Sequence, residues 1–153
     1  MRGDVFFSNT KNIIVLKELL KKIKILNKSK KKTSRILYHK NKFSKLHIMQ
    51  IMHKKGYVGD PKKNKNNSIK VFFCINGSCY FNFYNIKGRI IKKIKFNKNN
   101  PLIFFNEGKN FYNQSVKSEN VLFLEIVTGP FKRKNQIYLK DVNKKFPSLN
   151  TNT

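Results

Sequence analysis

The chain has 153 residues, a net charge of +27 and two cysteines. That length suits one domain with a buried core, and no apolar run approaches the ~20 residues of a membrane-spanning helix, so no membrane span is expected. The charge points toward polyanions, but four arginines (Arg2, Arg35, Arg89 and Arg133) among 34 basic residues leave little of the bidentate chemistry that suits phosphate and base contacts.

The opening MRGDVFFSNTKN has an early acid and neither the apolar core nor the cleavage site of a signal peptide, so a cytoplasmic location is expected. Residues 11 to 27, KNIIVLKELLKKIKILN, place Ile13, Leu16, Leu20 and Ile23 at helical spacing. Ser8, Asn9 or Thr10 supplies a cap, and Glu18 precedes Lys22 by four residues. NKSKKKTS, at 27 to 34, reads as a solvated linker. The expected organisation is a helix and basic linker over 1–33, a barrel over 34–147 and a loose tail over 148–153.

From residue 34 the chain alternates short strands and turn signals, the rhythm of an all-β sandwich or barrel. Strands are expected at Ser34 to His39 and Leu46 to Met52, followed by a polar loop, GDPKKNKNNS. In KVFFCINGSCYFNFY, at 70 to 84, Asn76-Gly77 is the commonest two-residue hairpin turn. Pairing outward from it sets Ile75 against Ser78 and Cys74 against Cys79. One face then carries Lys70, Phe72, Cys74, Cys79, Phe81 and Phe83. A second turn at 86–89 leads into Ile90 to Phe96. A short apolar run from Pro101 to Phe105 and a turn at Asn106-Glu107-Gly108 follow. Val121 to Val127 reads as the last core strand, stopped by Gly129-Pro130.

Few residues suggest chemistry. His47 and His53 share a strand face but lie roughly 20 Å apart along it, too far for one metal ion. The seven acids form no recognisable acid–base pair, and no Gly-rich phosphate loop is present. Cys74 and Cys79 read as buried free thiols, although hairpin cysteines set directly opposite come close enough to oxidise in strained geometry. Lysines spread along the whole chain, beside an excess of Asn, Ile and Phe, read as the drift of an AT-rich genome. Strong, salt-sensitive, non-specific polyanion binding in dilute buffer follows from that charge all the same.

From about Ser34 to Pro147 the chain resembles the WbuC-like family of cupins, whose genes sit among those for O-antigen, lipopolysaccharide and other surface polysaccharides. The likeness rests on SRILYH at 34 to 39, GYV at 56 to 58, FFCINGSCYFNF, NIKGRIIKKIKF at 85 to 96, NEGKNF at 106 to 111 and VLFLEIVTGPF at 121 to 131, in that order. It implies an all-β, jelly-roll-type cupin barrel with an N-terminal helix. Such barrels hold a divalent metal through two histidines, a glutamate and a further histidine. Here the His-x-His loop reads DPKKNKNNS, the glutamate position falls on Lys70 and the last histidine on Phe111. The family's metal site is therefore expected to be degenerate, with no metal and no cofactor.

A lysine facing a barrel interior must pair, reach the rim or lose its proton. The reading we carry forward is a metal-free pocket of Lys70, Phe72, Cys74, Phe81, Phe83 and Phe111. It would hold an anionic small molecule, a sugar phosphate or nucleotide sugar, in surface-polysaccharide biosynthesis. Catalysis is left open, as is a homodimer. A sugar-nucleotide isomerase or epimerase would draw on His39, His47 and Glu125 as a secondary pocket. A basic nucleic-acid-binding or structural protein is the third reading.

Overall fold

The computed structural model describes residues 4–7, 21, 23–65, 68–107 and 110–141. Its ten strands are β1 (Asp4–Phe7), β2 (Thr33–Leu37), β3 (Leu46–Lys54), β4 (Lys62–Asn64), β5 (Ser68–Tyr84), β6 (Ile90–Asn97), β7 (Leu102–Glu107), β8 (Phe111–Ser115), β9 (Asn120–Thr128) and β10 (Gln136–Tyr138). Among the described residues, the helix α1 spans Ile23–Lys28. The strands expected at 34–39, 46–52, 90–96 and 121–127 appear as β2, β3, β6 and β9. Of the helix expected over 11–27, only the last turns lie within the described residues; Ile13, Leu16 and Leu20 fall outside them, as does the tail. No helix among the described residues is long and apolar enough to cross a membrane.

The central correction concerns residues 70 to 84. Asn76-Gly77 does not turn a hairpin. β5 runs unbroken for 17 residues, its first part pairing with β7 and β9 and its last with β6 and β8. It is therefore common to two curled sheets, β1-β2-β3-β9-β5-β7 and β6-β5-β8-β4-β10, which enclose one core. The bend lies at a bulge between Cys74 and Asn76 against β9. Gly77 takes φ 75° there, and a Cβ would strike the Asn120 carbonyl oxygen. Glycine was a correct sign of positive φ, but of a barrel corner rather than a turn.

The bulge also explains why the expected inward face survives the wrong topology. In an uninterrupted strand, residues 74 and 79 would point to opposite sides. One extra residue restores the parity, and Phe72, Cys74, Cys79 and Phe81 are all buried in one core cluster. Phe72, Phe81, Phe96 and Phe123 form its centre, linked edge-on at centroid distances of 4.8 Å (Phe72–Phe81), 5.3 Å (Phe81–Phe96) and 6.0 Å (Phe96–Phe123). Each buried ring stabilises the fold by roughly 1.5–3 kcal/mol.

The other face of the first sheet packs under α1 through Leu26, Ile36, Met52 and Leu122. Lys54 Nζ donates to the carbonyls of Asn27 (3.2 Å) and Ser29 (2.6 Å), placing a cation at the helix's C-terminal end. Four strands were not expected. β1 joins β2 in parallel; β4 lies inside the supposed polar loop; β8 is formed by FYNQS, whose mixed composition hides its alternation; β10 pairs with β4 beyond the last expected strand.

Candidate functional site

Register decides which side chains share the interior. Lys70, Phe72 and Cys74 on β5 lie opposite Val127, Glu125 and Phe123 on β9, which lie opposite His47, Met49 and Ile51 on β3. Arg35 pairs with Ile51, extending the same face onto β2. On the second sheet, Tyr112 pairs with Phe83, and Gln114 with Phe81.

Lys70 is buried at this interior, and of the three fates open to it the structure realises pairing. Its ammonium donates to Tyr112 Oη at 2.7 Å and lies 3.3 Å from Glu125 Oε1. The two charged side chains are only 7% and 13% exposed. Both charges are thus compensated where water is largely excluded.

Phe72, Phe81 and Cys74 are buried in the same core cluster as Tyr112, and the half-buried Phe83 packs against it. Phe111 does not. It is buried, but its ring lies beneath the Lys63 ammonium at 4.9 Å, and adjacent strand residues point to opposite sides. Tyr112 supplies the wall instead, with ring centroids 6.4 Å from Phe81 and 6.3 Å from Phe83. Counting from Gly108 missed the facing residue by one, which in a strand reverses the side.

The secondary set is partly assembled. His39 and His47 lie in contact, their ring centroids 4.1 Å apart and their planes tilted by 33°. Burial lowers the His47 pKa, with the His39 charge adding to the effect. Glu125 is drawn away to Lys70. Cys74 and Cys79 are free, and burial raises both thiols' pKa values, so neither is poised as a thiolate.

The metal that the resemblance implies does not fit these residues. An ammonium stands where the family places a carboxylate, and the neighbouring carboxylate is engaged by it. Among the described residues, no three His, Cys, Asp or Glu side chains gather as ligands would. At the strand ends nearest Lys70, Ser68, Thr128, Lys132 and Asn135 help line a cavity of about 80 Å³. Ligand pockets usually begin near ~300 Å³, so a small polar group fits there as it stands and a whole nucleotide sugar does not.

A second polar group was missed. His53 is buried, stacks on Tyr57 at 3.8 Å, and has Nε2 3.2 Å from Gln114 Oε1. Burial pushes its pKa down to about 3; the Gln114 hydrogen bond opposes this, and the Arg35 and Lys62 charges add to it. The signal was available. His53 lies on the same alternating face as Met49 and Ile51, and reads from there as a packed histidine, without the Gln114 and Tyr57 contacts.

No family model matches the chain, and neither does any curated protein. Solved structures do. CapF, a capsular polysaccharide assembling protein from Staphylococcus aureus, has TM-score 0.58 at 11% identity over 70% of this chain, which spans only 32% of CapF. The cupin domain of an XRE family transcriptional regulator from Enterobacter cloacae has TM-score 0.52 at 12% identity, covering 66% of this chain and all of that domain. Streptomyces PAC13, solved with uridine, has TM-score 0.53 at 9% identity, covering 70% of this chain and 77% of that one. At such identities the likeness is one of fold, and the fold is the cupin barrel.

Proposed function

We propose that this cupin is WbuC-like, serves surface-polysaccharide synthesis in the cytoplasm, and binds an anionic saccharide inside its barrel without a metal ion. The observation that carries the reading is the buried trio of Lys70, Glu125 and Tyr112 against aromatic walls. A carboxylate accepts hydrogen bonds from sugar hydroxyls, an ammonium donates to ring or acid oxygens, and a phenol does either. Phe72, Phe81 and Phe83 offer apolar surface to the ring's C–H faces. The trio's polar groups satisfy one another in the free protein, so a ligand binds by exchanging those bonds for its own. CapF is a capsular polysaccharide assembling protein, and its likeness of fold lends this reading support.

The test is calorimetric titration with glucuronate and with glucose 1-phosphate at physiological salt, which suppresses binding to the lysine-rich surface. Lys70→Met combined with Glu125→Gln removes both charges and leaves neither buried alone. The double variant should bind roughly ten- to a hundredfold more weakly while remaining folded. Binding to non-specific DNA should hardly change, because the surface lysines supply it. Equal saccharide affinity in parent and variant would refute the pocket.

A further inference from the structure

We infer that Arg35, His53 and Gln114 form a second subsite that takes an oxyanion and a neighbouring hydroxyl. The inference rests on the proposed saccharide reading and adds to it where the charged end of the ligand lies. Of the six buried side-chain polar atoms without a hydrogen-bond partner among the described residues, three belong to this group: Arg35 Nε, His53 Nδ1 and Gln114 Nε2. All three residues lie on interior strand faces, and the group is tied together. His53 bonds Gln114 across the barrel, and Arg35 is near enough for its charge to act on both His53 and Tyr57.

The protonation pattern specifies the occupant. Gln114 Oε1 only accepts, so His53 Nε2 carries the proton and Nδ1 keeps a lone pair. Arg35 Nε and Gln114 Nε2 are donors. Two donors and one acceptor suit a carboxylate or phosphate flanked by a hydroxyl: the oxyanion takes the two N–H groups, and the hydroxyl donates to Nδ1. A simple anion leaves the imidazole lone pair unused, and an uncharged sugar leaves the Arg35 charge unanswered. Lys62 also faces this interior, paired with Tyr112 and acting electrostatically on His53, so the local field favours a negative group. Leaving such groups buried and unpaired is costly, which is why they mark a place where something binds.

Buried water is the competing occupant, and the experiment separates the two. The His53 ring resonances of the wild-type protein are followed by NMR during titration with glucuronate, glucose 1-phosphate and glucose. The expected result is that an acid-bearing sugar shifts the His53 signals and glucose does not; the responsive probe identifies carboxylate or phosphate as the source. Arg35→Met and Gln114→Glu should each weaken that probe by about tenfold or more, with melting curves confirming that both variants fold. The wild-type shift needs no variant. Unmoved His53 signals, or full affinity in a folded Arg35→Met, would mean that the cluster holds water only. If Lys70→Met/Glu125→Gln loses binding while Arg35→Met keeps it, this inference fails and the pocket reading stands. The opposite pattern leaves the subsite and removes Lys70 from it; failure of both anionic probes to bind removes both.

Discussion

Lys70–Glu125–Tyr112 and Arg35–His53–Gln114 share one barrel interior, and Tyr112 and Gln114 are only two residues apart on β8, roughly 7 Å. They are finished in opposite ways. In the first, two charges and a phenol satisfy one another at 3.3 and 2.7 Å. In the second, three polar atoms are buried with bonding capacity left over. A closed group resists disruption of any member; an open one tolerates change and awaits a ligand. Mutations in the two should therefore behave differently.

The largest effect is expected in the closed trio. Lys70→Met alone strands the Glu125 carboxylate in a nearly dry interior and should cost roughly 3–5 kcal/mol, read from the urea midpoint. Replacing the pair together, as Lys70→Met/Glu125→Leu, should recover most of that loss. If the single and double variants are equally destabilised, the pair is not energetically closed.

Acidification should come next, and it acts on the open cluster. The folded-state pKa of His53, about 3, lies below its unfolded value of 6.5. Between those values the unfolded chain binds the proton and the native one does not. Stability is then full above about pH 6.5 and falls as pH drops toward 3, by roughly 3 kcal/mol at pH 4. Arg35 and Lys62 facing the ring add to this sense, and the lowered pKa of His47 acts in the same direction. His53→Gln should flatten the pH profile of the melting temperature. An unchanged slope would place the acid sensitivity elsewhere.

Two milder substitutions sharpen the contrast. Tyr112→Phe deletes a hydrogen bond from an ammonium and should cost roughly 1.5–3 kcal/mol. Gln114→Met loses one bond to neutral His53 but also removes an unpartnered buried donor, so the change should stay within about 1 kcal/mol. Chemical denaturation of both variants checks the order; a larger loss at Gln114 would mean the second cluster is already satisfied.

Much of this interior was legible in the alternation of residues 70 to 84, which put Lys70 on the same face as Phe72; the structure has both buried. What local pattern could not show was that Asn76-Gly77 bends one long strand. A glycine at positive φ serves a hairpin and a bulge equally well, and only the partner strand β9 distinguishes them. The Glu125 pairing was hidden because it joins residues 55 positions apart on strands whose adjacency is a property of topology. Phe111 was misplaced by one residue on β8, a strand whose Tyr, Asn, Gln and Ser give no clear inward stripe. His53 was readable as interior, but what makes it notable, an orphaned lone pair near Arg35, requires three strands to be assembled.

The central claim, that an acid-bearing saccharide binds inside the barrel, is most directly tested by mapping where it binds. Side-chain NMR of Tyr112, Phe72 and His53 during titration with glucuronate or glucose 1-phosphate at physiological salt separates the interior from the lysine-covered surface. Saturable shifts of these interior rings are expected to persist as salt is raised and to be lost in Lys70→Met/Glu125→Gln. Shifts confined to exposed lysines, fading with salt while the interior rings stay still, would contradict it.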